Sequence, residues 1–259
     1  MDIKQAIHEH RGALSKIALV IIIIVVFIIM LEQPVNSNYI SSPQNSWLSA
    51  AYYTVLISVV AIVMGFGIGI LVGLARISNN FLIKGIATVY VEILRGTPLL
   101  IQIFFLYFAI ALYFPDLFAT LGAIFPATLA LGLNSGAYQG EIIRGGIQSI
   151  PRGQMEAARS SGMSYLQAMR HVILPQGFRL IIPPMTNEYV TVIKDSSLAY
   201  VIGVTEITWF STRIITWDFE PITTYLFVAL LYFTLTTFTS NIMGVVERKF
   251  RIPGYMGAD

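Results

Sequence analysis

The segment GQMEAARSSGMSYLQAMRHVILPQ, residues 153–176, is polar, basic and rich in helix formers, within a chain that is otherwise mostly apolar. Of 259 residues, 56% are hydrophobic and only 12% charged, against roughly 25% charged in soluble domains. The apolar residues come in runs, as they do where lipid is the solvent. A water-compatible amphipathic segment in such a chain belongs outside the bilayer.

Six runs can serve as spans: residues 17–31, 48–75, 82–114, 119–143, 180–204 and 222–245. A helix needs about 20 apolar residues to cross. The third run is interrupted by RGTP at 95–98, and EQPVNSNYISSPQNS, ARISNN, FPD and RIITWDFEP separate the others. The first run follows Lys4, Arg11 and Lys16. This is the outline of a signal peptide, but no small-x-small cleavage site follows. It reads as a retained anchor, short enough that Lys16 must snorkel.

Cationic residues orient the layout. With the N-terminus in the cytoplasm, Lys4, Arg11, Lys16, Arg76, Lys84, Arg144, Arg152, Arg159, Arg170, Arg179, Arg248, Lys249 and Arg251 all flank spans on the inner side. Arg213 alone lies outside, and Arg95 and Lys194 lie within runs. Both termini are therefore expected in the cytoplasm. The outer loops carry Glu32, Asp116, Glu206, Asp218 and Glu220, with Trp47, Trp209 and Trp217 as an aromatic belt.

This places residues 144–179 in the largest cytoplasmic loop. Met155, Ala158, Gly162, Leu166, Met169 and Ile173 form one apolar stripe at helical spacing, opposite Arg152, Gln154, Arg159, Gln167 and Arg170. Two uses fit: a basic amphipathic helix resting on lipid headgroups, or a docking helix for a partner protein. The small Glu156-Ala157-Ala158 step and Gly162 permit close backbone approach, which a lipid surface does not require. Leu174-Pro175-Gln176 reads as the end of this helix before the next span.

Intramembrane charge costs at least about 2.5–3.5 kcal/mol per residue, which makes such residues functional candidates. Glu92 and Arg95 lie in the third run, and Glu188, Lys194 and Asp195 in the fifth. Mutual pairing accounts for Lys194 with Asp195 or Glu92, and for Arg95 with Glu92. Glu188, with Thr191 one turn further on, can accept an ammonium group. At RGTP, Thr97 can cap and Pro98 can start a new half-helix. The N–H groups of that half-helix would then face an anion, making Arg95–Leu100 a carboxylate seat. Asn134, Ser135, Tyr138 and Glu141 either line a pathway or, the commoner use, bond between helices. Gly65, Gly69 and Gly73 read as a helix-packing face.

Several functions are excluded. The chain has no cysteine, three scattered histidines and no Ser/His/Asp arrangement, so neither a metal site nor a hydrolase is expected, and no nucleic-acid partner is indicated. There is no G-x-x-x-x-G-K-[ST] loop to cradle nucleotide phosphates. If transport is ATP-driven, another protein must supply the engine.

Glu156, Ala157, Ala158, Gly162 and the following Ile173-Leu174-Pro175 resemble the EAA loop of ABC importer permeases. EILRGTPLLIQIFFLYF (92–108), GAYQGEIIRGGIQSIPRGQ (136–154) and PPMTNEYVTVIKDSSLAYVIGV (183–204) narrow the likeness to polar amino acid permeases, over residues 48–251. The resemblance implies an all-α polytopic fold, a five-helix type I permease core at 48–251 including the loop 144–179. Residues 1–47 would add an extra N-terminal span and outer loop, and 252–259 a tail. It implies that Arg152, Gly153, Gln154, Glu156, Ala157, Ala158, Gly162, Leu174 and Pro175 couple to a cytoplasmic ATPase dimer. It also implies that Arg95, Thr97, Leu100, Tyr138, Glu188 and Thr191 line the substrate path. The implied partners are that ATPase, which carries ATP and Mg, a second permease, identical or homologous, and an extracytoplasmic amino-acid-binding protein in a bacterial inner membrane. No cofactor is expected on this chain. The competing expectations are a secondary transporter using Glu188 and Asp195 as proton carriers, and a membrane scaffold.

Overall fold

The computed structural model describes residues 46–250 together with Ile21, Ile24 and Val25. The expected anchor at 17–31 otherwise lies outside the described residues, as do Lys4, Arg11, Lys16, Arg251 and the tail. The described chain is helical with no strand. Its helices are α1 Trp47–Arg76, α2 Phe81–Gly96, α3 Leu99–Tyr113, α4 Pro115–Leu121, α5 Ile124–Gln148, α6 Arg152–Ser160, α7 Tyr165–Ala168, α8 Leu174–Asp195, α9 Ile207–Asp218 and α10 Pro221–Phe250. A π-helical turn, Met169–Ile173, joins α7 to α8, and a 3-10 turn, Ser196–Ile202, follows α8.

Helices α1 and α10, each 30 residues, are long and apolar enough to cross a membrane. The third and fourth runs are not continuous spans. α2 and α3 meet at 106°, and α4 and α5 at 97°, so each run is a bent pair. Pro98 and Pro115 open the second member of one pair and the first of the other. The fifth run begins earlier than expected, because Pro175 stands in the first turn of α8, where its missing N–H is harmless. Leu174-Pro175-Gln176 therefore starts a helix rather than ending one. Pro183 and Pro184 lie inside α8.

α1 and α5 pack along a glycine seam. A Cβ on Gly69 would stand 2.8 Å from Gln139 Cβ and 3.1 Å from the Gly140 backbone nitrogen, and one on Gly73 would stand 2.9 Å from Gly140 O. Without side chains at these positions the backbones approach closely, which is how helices associate where lipid supplies no hydrophobic drive. Gly69→Ala should destabilise the protein by about 1–3 kcal/mol, because rigid backbone lies in the way. Gly132→Ala meets the Met64 side-chain end and, at an ordinary contact distance of 3.4 Å, Ala61 O, and should cost less, since Met rotates aside. Thermal unfolding in detergent compares the two; equal losses would contradict the seam.

Three buried clusters lie along the molecule. Ile57, Ala61, Ile103, Leu131 and Val192 form one, and Ile143, Ile147, Ile173, Ile181 and Met185 another. Trp47, Ala50, Ile207, Phe210, Phe227 and Leu231 form the third. Trp47 is thus core and not belt: its ring meets Phe210 and Phe227 edge-on at 4.9 and 4.8 Å. Glu206 is not a solvated loop acid either. It is fully buried, caps α9 by accepting from Thr208 N and Trp209 N at 2.9 and 2.7 Å, and accepts from Tyr232 Oη at 2.7 Å.

Candidate functional site

The amphipathic loop is a helical hairpin, not one continuous helix. α6 stops at Ser160 because Gly162 takes φ +87°, and Met163 N then bonds back to Ala158 O at 3.2 Å. This is the αL closure that glycine permits at no steric cost. Ser164 caps α7 in a box with Gln167. The expected single stripe is therefore divided: Ala158 and Ile173 are buried, while Leu166 is 77% exposed, and Ala168, outside the stripe, is buried as well. Arg152, Gly153, Gln154, Glu156, Ala157 and Arg159 all face outward. From Tyr165 the chain stays helical through the π-turn to Asp195, carrying Leu174 and Pro175 on the way.

The break between α2 and α3 exposes backbone carbonyls that lipid cannot satisfy, at several kcal/mol each. Side chains satisfy them here. Gln102 Nε2 donates to Leu94 O at 2.8 Å, to Thr97 O at 3.1 Å and to Thr97 Oγ1 at 2.9 Å. Asn134 Nδ2 on α5 donates to Leu94 O and to Gln102 Oε1, both at 3.1 Å. Thr97 does not cap α3: its hydroxyl donates back to Ile93 O at 2.8 Å, and Pro98 is the N-cap residue, without a side-chain bond. The first-turn N–H groups at Leu99 and Leu100 thus have no side-chain cap. Gln102 is the residue the sequence reading missed, although a lone amide in LLIQIFFLYF signals a needed partner. Gln102→Leu should orphan Thr97 O, leave Leu94 O to Asn134 alone and lower stability by about 1–3 kcal/mol. Detergent unfolding measures it; an unchanged midpoint would show the break does not need the amide.

One residue further along α5, Ser135 Oγ donates to Glu188 Oε1 at 2.7 Å, and Gln139 Nε2 donates to Ser135 Oγ at 2.9 Å. Glu188 is only 9% exposed, so one carboxylate oxygen is already engaged between helices. Thr191, one turn on, is exposed and bonds its own helix at Asn187 O, so the two do not share an environment. Arg95 stacks over the Tyr138 ring, its guanidinium carbon 5.0 Å from the centroid. Tyr138 lies one turn from Ser135 and from Asn134, which brings Arg95, Thr97, Tyr138 and Glu188 around one stretch of α5.

Among the described residues the ion pairs are Arg76–Glu141 and Arg144–Glu141. The expected pairings of Arg95 with Glu92 and of Lys194 with Asp195 or Glu92 do not occur. Glu141 straps α1 to α5 at their Arg76 end. Among the described residues no His/Asp/Glu cluster could hold a metal.

Residues 65–252 match the family described as binding-protein-dependent transport system inner membrane component. The chain is 37% identical over 205 residues to glutamine transport system permease protein GlnP of Escherichia coli (strain K12), covering 79% of this chain and 93% of that one. It is 38% identical over 198 residues to probable amino-acid ABC transporter permease protein YckA of Bacillus subtilis (strain 168), covering 76% and 86%. The solved structure of an amino acid ABC transporter with histidines superposes with a TM-score of 0.71 at 34% identity, covering 78% of this chain and 93% of that one.

Proposed function

The chain belongs to the inner membrane components of binding-protein-dependent transport systems, and on that premise we propose that it moves a polar amino acid inward through a path beside Arg95 and Glu188. It is the membrane permease and not the ATPase. The relatives named as glutamine and amino-acid permeases support the substrate class. In this reading six spans cross the membrane with both termini inside. Two permeases, identical or homologous, stand on an ATPase dimer, and an extracytoplasmic protein delivers substrate.

One observation carries the reading: the 152–168 hairpin, with its outward Arg152, Gly153, Gln154, Glu156 and Ala157, runs without a break into the helix that holds Glu188. Ala158 and Gly162 shape the hairpin, and Leu174 and Pro175 open the rod behind it. A closing ATPase that grips the hairpin thereby moves the path. The uncapped Leu99 and Leu100 N–H groups, with Arg95 and Thr97 beside them, present partial positive charge to the substrate carboxylate. Glu188 faces the ammonium end, and Tyr138 and Thr191 flank the route.

Proteoliposomes holding this chain, its ATPase and its binding protein should take up one class of labelled amino acid only with ATP on the ATPase side. Uptake that ignores ATP and follows a proton gradient would overturn the proposal. Orientation is read separately. The chain has no cysteine, so Ser160→Cys introduces a single thiol on the exposed hairpin. An impermeant maleimide should label it in inverted vesicles and not in intact cells; labelling in intact cells would reverse the topology.

A further inference from the structure

A groove of about 470 Å³ lies between α1, α5, α8 and the end of α10. Phe66, Ile70 and Leu74 form one wall, and Phe178 and Phe250 close the other, their rings edge-on at 5.6 Å. The lining is apolar with one exception, Arg179.

Depth and lining decide what fits. Phe66 lies ten residues from Arg76, which ends α1, so the groove reaches about 15 Å inward from the cationic boundary. That is half of a hydrocarbon core of roughly 30 Å, the depth of one leaflet. An acyl chain lying along these aliphatic and aromatic walls would match both their chemistry and that depth.

Charge decides which end is the head. Arg179 is exposed at the groove, and Arg248 and Lys249 immediately precede Phe250. None of the three belongs to an ion pair among the described residues, although Glu247 neighbours them in sequence. The exposed Arg179 on the lining, with Arg248 and Lys249 in the last turn of α10, complements an anionic headgroup above an acyl chain in a slot one leaflet deep. We propose that this groove binds an anionic phospholipid of the cytoplasmic leaflet, with its headgroup on Arg179 and one chain between α1 and α8. The leaflet assignment rests on the orientation argued above.

Native mass spectrometry of the detergent-purified protein tests the groove. Equal amounts of dioleoyl phosphatidylglycerol and dioleoyl phosphatidylethanolamine are added as probes. The wild type should retain phosphatidylglycerol preferentially. Arg179→Gln should cut that preference roughly fivefold, the weight of one basic residue at an anionic surface, and Ile70→Trp should reduce retention of both lipids. Because Arg179 is exposed, its variant folds, which an unchanged gel-filtration profile verifies. Equal retention of the two lipids, or a preference untouched by Arg179→Gln, overturns the proposal. So does a disulfide formed by Phe178→Cys with a cysteine placed in residues 17–31 or with a second copy, since protein would then cover the groove. Retention in detergent does not depend on which leaflet the groove faces. Failure here therefore leaves the transport reading and the Ser160→Cys topology result untouched.

Discussion

Glu188→Gln should raise the substrate KM by roughly 10- to 100-fold while leaving the amount of folded protein unchanged. Glutamine keeps the side-chain length and keeps an oxygen to accept from Ser135 Oγ, now 2.7 Å from Glu188 Oε1. The α5–α8 bond therefore survives, and only the charge is lost. A hydrogen bond to a charged group contributes about 1.5–3 kcal/mol, and 1.4 kcal/mol is tenfold in affinity, which sets the range. The split between parameters is diagnostic. If Glu188 serves only to hold α5 against α8, as its 9% exposure permits, KM will not move. Uptake titrated against substrate at saturating ATP gives the answer, and an unmoved KM would remove Glu188 from the path.

Gly162→Val should lower ATP-dependent uptake at least about tenfold without reducing the amount of protein in the membrane. Gly162 has φ +87°. An L-residue pays roughly 1–2 kcal/mol to adopt left-handed backbone, and a β-branched one is a steric outlier there. Space is not the difficulty, since nothing lies within 4 Å of a Cβ at this position. The valine must instead reopen the turn that stacks α6 on α7, moving Glu156 and Ala157 relative to the rod behind them. Gly67→Ala, also in open space but at an ordinary helical position outside the hairpin, is the control and should transport normally. The comparison also measures ATP hydrolysis stimulated by the binding protein. Loss of uptake with stimulation retained would place the defect in the path and not at the ATPase.

How much of this could be read from residues alone varied with the kind of interaction involved. The runs at 48–75 and 222–245 were legible because hydropathy is additive along the chain, and they correspond to α1 and α10. The glycine seam was legible because three glycines repeat every four residues. The bends were foreseen as interruptions but not as angles of 106° and 97°. An angle depends on what satisfies the freed carbonyls, and at the α2–α3 bend those partners are Gln102 and, 40 residues from Leu94, Asn134. Trp47 and Glu206 were misplaced for a similar reason. Each stands beside a polar loop in sequence, and each is buried by distant elements, Trp47 by Phe210 and Phe227 and Glu206 by Tyr232. At the site, residue types were legible and roles less so. Thr97 looks like a helix cap in RGTP, but its hydroxyl prefers Ile93 O, four residues back. The amphipathic stripe was sound as a pattern. It could not show that Gly162 would fold it in two.

The π-helical turn at Met169–Ile173 carries a consequence of its own. The Leu174 N–H bonds to Met169 O, so this turn holds one residue more than an α-helical turn. Each residue of an α-helix advances about 100° around the axis. The extra residue therefore sets the azimuth of α7, and of the hairpin attached to it, about 100° away from where uninterrupted winding from Glu188 would put it. What the rod fixes is a phase as well as a length. Removing one residue at Val172 would shorten it by only about 1.5 Å and leave the side chains at both ends intact. It would also turn the hairpin by more than a quarter of a revolution against the carboxylate at the far end.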